Sequence, residues 1–210
     1  MDDHRKLIVE HGYNALQEEY LAWASRIIDD SRERMLNEFS GRMELGSRVL
    51  DLGCGAGLPS TKALASRFVV TGVDISEAQV KAARVNVPEA TFIQADLGAL
   101  DFPPGSFDGV TAFYSLTHVP RDEHGPIFER VAQWLVPGGL FLATLGSNDS
   151  PDWVGDWLGR PMFFSSYDAD TNRRLLTAAE FELLVDEVLE TVEPDGATPF
   201  LWVLGRSRRD

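Results

Sequence analysis

Five short apolar runs separated by helical stretches constrain this chain more than anything else in it. Arg48-Val49-Leu50-Asp51-Leu52, Phe68 to Val73, Thr91-Phe92-Ile93-Gln94-Ala95, Phe107 to Phe113 and Leu140 to Leu145 each have the length of a buried strand. Between them, Pro59 to Ser66, Ser76 to about Val87 and Arg121 to Leu135 read as helices. Proline suits the first turn of the first helix and Ser76 caps the second, which ends before Pro88; Pro137-Gly138-Gly139 stops the third. Strands alternating with helices build βαβ units, so the expected fold is α/β: a doubly wound, mostly parallel sheet. The 210 residues suffice for one well-cored domain.

Both ends depart from that rhythm. From about Tyr13 to Phe39 the pattern is helical, with Leu16, Tyr20, Trp23, Ile27 and Ile28 at spacings of three and four. Asp149 to Asp170 is loop-like yet carries Trp153, Trp157, Phe163, Phe164 and Tyr167. Thr171 to Ala179 looks helical, and Phe181 to Val192 fits neither period. Phe200 to Leu204 is a strand, and a turn near Pro194-Asp195-Gly196 would make the last two strands an antiparallel pair at a sheet edge.

The most informative segment is the loop that follows the first strand, Gly53-Cys54-Gly55-Ala56-Gly57. Glycines permit positive φ and close backbone approach to a ligand, and the helix start beyond them offers free N–H groups. The second strand ends at Asp74, where a carboxylate can accept hydrogen bonds from both hydroxyls of a ribose. The plainer role for Asp74 is to cap the next helix, which Ser76 already does. The third strand ends at Asp96-Leu97, where the acid can accept from an adenine amine and the leucine can pack on the ring. A nicotinamide dinucleotide fingerprint would require the third glycine one residue later, at the position of Leu58.

Five segments taken together resemble the successive motifs of the class I S-adenosylmethionine-dependent methyltransferases. They are Asp51 to Gly57, Gly72-Val73-Asp74-Ile75-Ser76, Gln94-Ala95-Asp96-Leu97, Phe107-Asp108-Gly109-Val110 and Leu135-Val136-Pro137-Gly138-Gly139. The resemblance covers about Gly46 to Leu145. It implies a Rossmann-like seven-stranded sheet with an antiparallel edge strand, and S-adenosylmethionine as donor with S-adenosylhomocysteine as product. It further implies donor contacts at Tyr20, Asp51, Gly53, Cys54, Gly55, Gly57, Asp74, Ile75, Asp96, Leu97 and Phe113. The single domain then divides into a helical lid (1–45), a donor-binding core (46–147), an acceptor loop (148–170) and a C-terminal helix with edge strands (171–210).

Methyl transfer is an in-line displacement on an already activated carbon, so orientation and water exclusion can supply much of the catalysis. A base is needed only where the nucleophile arrives protonated. The fourth strand ends in Phe113-Tyr114-Ser115-Leu116-Thr117-His118, at the sheet edge where ligands bind. His118 is the candidate base or orienting group, with a backbone-bonded structural histidine as the alternative; Tyr114 and then Ser115 are weaker candidates. Trp153, Phe163, Phe164 and Tyr167 are expected to wall the acceptor site together with His118. Asp168 and Asp170 read as caps for the helix near Thr171, Cys54 as a packing residue, and His124 as part of a helix or its cap. Catechol-type relatives use Mg²⁺, but no metal is expected from the scattered Asp149, Asp152 and Asp156.

Charge narrows the acceptor. Nineteen basic residues against 33 acidic give a net charge of −14, which repels a nucleic acid at long range. The single cysteine, the polar start at Met1 to Arg5 and the lack of a long apolar run point to a reducing, cytoplasmic setting with no membrane partner. The expected activity is methylation of oxygen or nitrogen on a small metabolite or natural product. Methylation of a protein or peptide side chain is the alternative, as is donor binding without catalysis.

Overall fold

The computed structural model describes residues 3–28 and 30–209. Seven strands form one sheet: β1 (Arg48–Leu52), β2 (Val69–Asp74), β3 (Thr91–Gln94), β4 (Phe107–Ala112), β5 (Leu135–Gly146), and the C-terminal strands β8 (Phe181–Glu193) and β9 (Gly196–Ser207). Their order is β3-β2-β1-β4-β5-β9-β8. Pairing is parallel from β3 through β5, and β9 runs antiparallel to both β5 and β8. The order reverses between β2-β1 and β4, opening a crevice above the carboxyl ends of β1 and β4.

Alternation along the strands sorts two cores. Leu50, Leu52, Val110, Phe141 and Ala143 point to one face, against Ile127, Phe128, Val131 and Trp134 of α6 (His124–Trp134) and Leu176 of α7 (Ala169–Ala178). Val49, Val70, Leu142 and Trp202 point to the other, against Met35, Leu36 and Phe39 of α3 (Arg32–Ser40) and Leu64 of α4 (Ser60–Ala65). Between β2 and β3, α5 (Glu77–Asn86) starts at Ser76, whose hydroxyl accepts from the Gln79 N–H. Among the described residues no helix is long and apolar enough to cross a membrane.

Four expectations change. The N-terminal helical stretch is three helices: α1 (His4–Ala15), α2 (Gln17–Ala24) and α3. The chain leaves helix after α2 because Ile28 pairs as a β-bridge with Val192, trading N–H and C=O at 3.0 and 3.1 Å. Residues 149–170 are not a loop but a hairpin, β6 (Ser150–Trp157) and β7 (Arg160–Ser166), with its own two-stranded sheet. Strand β5 begins at Leu135, so Pro137-Gly138-Gly139 lies within it, beside an irregularity in its register with β4. The stretch of ambiguous period is β8, an edge strand whose alternation is broken by a bulge between Leu183 and Val185.

Candidate active site

The floor of the crevice is the glycine loop. Gly53, Gly55 and Gly57 all have positive φ. Gly53 is the most constrained, because a Cβ there would lie 2.2 Å from the Ser115 Cβ. The Gly53 and Cys54 N–H groups donate to the Val73 carbonyl, tying the loop to β2. At the tip of β2, the Asp74 carboxylate accepts from the Gly55 N–H and the Ser76 N–H, both at 2.9 Å. Burial pushes its pKa up to about 6, against the lowering effect of those N–H groups.

A cavity opens over this floor. Gly53, Gly55, Asp74, Ile75, Asp96, Leu97 and Phe113 line it, as does Tyr20 of α2. Each carboxylate oxygen of Asp74 and Asp96 already accepts one bond, and ionised carboxylates have about four acceptor positions, so both can take more. A buried acid, Asp74, and a partly buried one, Asp96, beside an open glycine backbone fit an adenosine with its ribose diol and exocyclic amine.

Three expected contacts lie elsewhere. Asp51 is buried below the loop, accepting from the Thr61 and Thr111 hydroxyls at 2.6 and 2.8 Å, and burial raises its pKa. It fastens β1 to α4 and β4 rather than lining the cavity. Cys54 packs against Gly72, where a Cβ would lie 2.9 Å from its sulfur; burial pushes its thiol well up, away from nucleophilic use. Gly57 lets the loop pass under α5, with Val87 and Ala83 against the space a side chain would need.

Helix α1 roofs the cavity through contacts the sequence did not reveal. Lys6 Nζ donates to Asp96 Oδ2 at 2.7 Å and to Glu123 Oε2 at 2.8 Å. Burial works against its charge, but the two carboxylates outweigh that and raise its pKa. Asn14 Oδ1 accepts from the Ser76 hydroxyl and the Ala78 N–H, clamping the far end of the helix to α5. Gly12 lets α1 meet the hairpin: a Cβ there would be 2.7 Å from Met162 Cε and 3.2 Å from the Pro161 carbonyl. Arg5 adds an ion pair to Asp152 at 2.7 Å.

Under this roof sits His118, in the turn after β4. Its Nδ1 donates to the Phe163 carbonyl at 2.9 Å, which leaves Nε2 as an acceptor for the Tyr13 hydroxyl, also at 2.9 Å. Burial lowers its pKa to about 4, so the ring is neutral near pH 7. Burial also holds the Tyr13 phenol well above its usual range. His124 plays the structural part, bonding the Leu116 and Val119 carbonyls through Nε2.

Beyond His118 lies a second chamber of about 330 Å³. It shares Tyr13, Tyr20, Tyr114 and His118 with the first, and Trp23, Trp157, Phe164 and Phe200 extend its aromatic wall. Tyr114, at φ 57°, donates its hydroxyl to Asp30 Oδ1 at 2.9 Å, and burial raises its pKa. Of the expected wall residues, Phe164 is in place. Phe163 faces the opposite way on β7, buried with Val9, Leu16 and Met162. Trp153 is half exposed, packed on the outer side of Phe164, and Tyr167 packs on His124 under the Arg121 guanidinium. Trp157, in contact with Tyr13, Tyr20 and Trp23 at ring distances of 5.5–5.9 Å, takes the place assigned to Trp153. Trp153 and Trp157 share one face of the hairpin with Phe164, and position along β6, beside the turn, brings Trp157 rather than Trp153 to the seam.

Similarity agrees with this geometry. A family model described as a methyltransferase domain matches residues 49–139. An uncharacterized methyltransferase of Synechocystis sp. is 30% identical over 147 residues, 70% of this chain and 68% of that protein. The chain belongs to the class I S-adenosylmethionine-dependent methyltransferases. The 27-O-demethylrifamycin SV methyltransferase of Amycolatopsis mediterranei is 36% identical to it over 124 residues, 55% of this chain and 45% of that protein. The structure of DhpI with SAH superposes with a TM-score of 0.77 at 23% identity, covering 100% of both chains, and shares the fold. This methyltransferase spans about half the length of most curated relatives it matches.

Proposed function

We propose that the chain transfers a methyl group from S-adenosylmethionine to oxygen or nitrogen of a small molecule. The observation that carries this reading is the pair of chambers meeting at Tyr13, Tyr20, Tyr114 and His118. In it, Asp74 receives the ribose hydroxyls, Asp96 with Ile75 and Leu97 receives the adenine, and the open backbone at Gly53 lies under the methionyl part. Bound donor supplies a methyl on a sulfonium, activated without a protein group. The chain's own contribution is alignment and exclusion of water beneath α1, α2 and the β6–β7 hairpin.

His118 acts mainly by orientation in this reading. Its neutral ring, fixed as the Nδ1–H tautomer, presents Nε2 to the seam, and in the closed arrangement that lone pair holds Tyr13. It can take a proton from an acceptor only after the Tyr13 hydroxyl moves aside. A roofed aromatic chamber suits a small molecule better than a side chain of a folded protein, and the matched relatives include a rifamycin methyltransferase. Calorimetry with S-adenosylhomocysteine tests the donor half: no binding by wild type, or undiminished binding by Asp74→Ala, overturns it. Labelled methyl transfer into a small-molecule extract, with none into a protein extract, is the expected result for the acceptor half; the reverse would replace it with protein methylation.

A further inference from the structure

The wall of the second chamber selects by charge as well as by shape. Tyr13, Tyr20, Trp23, Trp157 and Phe164 line it, linked ring to ring. Tyr13 stands at 88° to Tyr20, and Trp157 at 74° to Trp23 and 84° to Phe164, with ring centres 5.3–5.8 Å apart. Rings set near right angles make the corners of a box rather than a stack. Their π faces are electron-rich, and a box of such faces is the usual receptor for an organic cation.

The charge beside these rings is negative. Glu193, the last residue of β8, is half-buried on the chamber wall and accepts from the Thr198 hydroxyl at 2.9 Å. Burial raises its pKa, the Thr198 bond opposes that rise, and the charge acting on it among the described residues is a second acid, Asp195. Asp195 in turn accepts from the Trp23 indole N–H at 3.2 Å, which sets it against one ring of the box. The basic residue on the wall, Arg32, is already paired with Asp30 Oδ2 at 3.1 Å, and His118 is neutral. At Tyr20, where burial raises the phenol's pKa, Arg32 works against the rise while Asp74, Asp30 and Glu193 add to it. A carboxylate partly stripped of water beside aromatic faces is complemented by a cation with an apolar periphery. The net charge of −14 draws such a cation in from a distance.

We propose that the second chamber is a receptor for an organic ammonium ion, held between the aromatic box and the Glu193 carboxylate, and that the methyl acceptor is an amine. The inference rests on the reading that the first chamber holds S-adenosylmethionine, and it selects nitrogen over oxygen as the methylated atom. An amine enters at neutral pH as its ammonium and gives one proton to the Glu193 carboxylate, which frees the nitrogen lone pair. The nitrogen–carbon bond forms as the carbon–sulfur bond breaks, the electron pair of that bond passes to sulfur, and the product nitrogen again carries a positive charge. Glu193 then releases its proton to solvent, which its half-buried position allows.

The test uses the full chain saturated with S-adenosylhomocysteine and calorimetry at pH 7 with three probes of one size: benzylamine, an ammonium at that pH, neutral benzyl alcohol and anionic benzoate. Wild type should bind benzylamine at least tenfold more tightly than benzyl alcohol, and benzoate more weakly still. Glu193→Gln keeps an acceptor for Thr198 and should lose most of that preference; Trp23→Leu keeps apolar bulk without a π face and should lose part of it. Each preference is a ratio within one protein, so a variant that is only destabilised weakens amine and alcohol alike and leaves the ratio unchanged. An unchanged ratio in Glu193→Gln overturns the proposal. So does wild type that binds benzyl alcohol or benzoate as tightly as benzylamine, or that does not bind benzylamine. Labelled methyl transferred into a small-molecule extract should appear in products that a cation exchanger retains at pH 7; label that passes through overturns the amine acceptor. The benzyl probes are also measured on the free chain: if wild type does not bind S-adenosylhomocysteine yet still prefers benzylamine, the donor reading fails and the ammonium receptor stands.

Discussion

The Tyr13 hydroxyl and His118 Nε2 are 2.9 Å apart, joining the roof helix to the turn after β4 at the seam of the two chambers. Because Nδ1 is already committed to the Phe163 carbonyl, the bond has one polarity: Tyr13 donates and His118 accepts. The same histidine therefore ties the β6–β7 hairpin, the N-terminal helix and the core together. Tyr13→Phe leaves a buried nitrogen acceptor without its donor and should cost about 1–3 kcal/mol, read from the urea midpoint at constant slope. An unchanged midpoint would mean that the lid closes without this bond.

The depressed pKa of His118 makes a separate claim about stability. Its folded-state value of about 4 lies below the 6.5 usual for a histidine. The unfolded chain then binds the proton first as pH falls, so the histidine's stabilising contribution is complete above 6.5 and is lost on descending to about 4. At most roughly 3 kcal/mol is at stake. His118→Asn, which cannot titrate, should remove that part of the fall in stability when both proteins are unfolded in urea at pH 7 and at pH 4.5.

Asp74 supplies a pH dependence of binding with the same direction but a different readout. Its pKa of about 6 means that the carboxylate is ionised above that value and protonated below it. Only the ionised form offers all its lone pairs to ribose hydroxyls, so affinity for S-adenosylhomocysteine should be level above pH 7 and fall as pH drops through about 6. Asp74→Asn should flatten the profile and weaken binding at pH 8 by roughly 10- to 100-fold, since hydrogen bonds to a charged group are worth about 1.5–3 kcal/mol. A wild-type affinity independent of pH from 5 to 8 would contradict the role.

How much of this was legible in the sequence depends on the range of the contact. The glycine loop, Asp74 and Asp96 lie at strand ends, and strand order in a doubly wound sheet carries those ends to one crevice, so local pattern located them. Asp51, Cys54 and Gly57 belong to the same motif, yet they serve the loop's own packing, and spacing cannot separate residues that face a ligand from those that support the turn. The roof was least legible. Lys6 meets Asp96 across 90 residues and Tyr13 meets His118 across 105, and no local periodicity records such pairings. The hairpin failed for another reason: aromatic residues broken by Gly and Pro suggest a loop, and among the rings that share one face of the hairpin only tertiary placement against α1 and α2 separates Trp157 and Phe164 from Trp153.

Gly12 tests whether the roof and the hairpin move as one piece. A valine there would place its Cβ 2.7 Å from the flexible end of Met162 and 3.2 Å from a backbone carbonyl, which must separate the two elements by a few tenths of an ångström. Gly12→Val should therefore weaken S-adenosylhomocysteine binding several-fold and speed amide exchange in α1 and β7, while β1 and β4 keep their protection. Uniform loss of protection would show instead that the lid is part of the global folding unit.

Gly53 offers the sharpest separation of two costs. Alanine there must adopt φ near +72° and must also push against Ser115, whose Cβ would lie 2.2 Å and whose Oγ 2.8 Å from the new atom. The left-handed conformation costs roughly 1–2 kcal/mol at a non-glycine residue, and the clash adds to it because Ser115 is itself anchored to the Leu52 carbonyl at 2.8 Å. Gly53→Ala should thus destabilise by more than about 2 kcal/mol. Ser115→Gly removes the opposing atoms, so in its background the same substitution should cost only the conformational part. A double-mutant cycle by urea unfolding should return a favourable coupling of about 1 kcal/mol or more. An additive cycle would mean that backbone conformation alone selects glycine, and that the close approach of the loop to the end of β4 plays no part in shaping the floor.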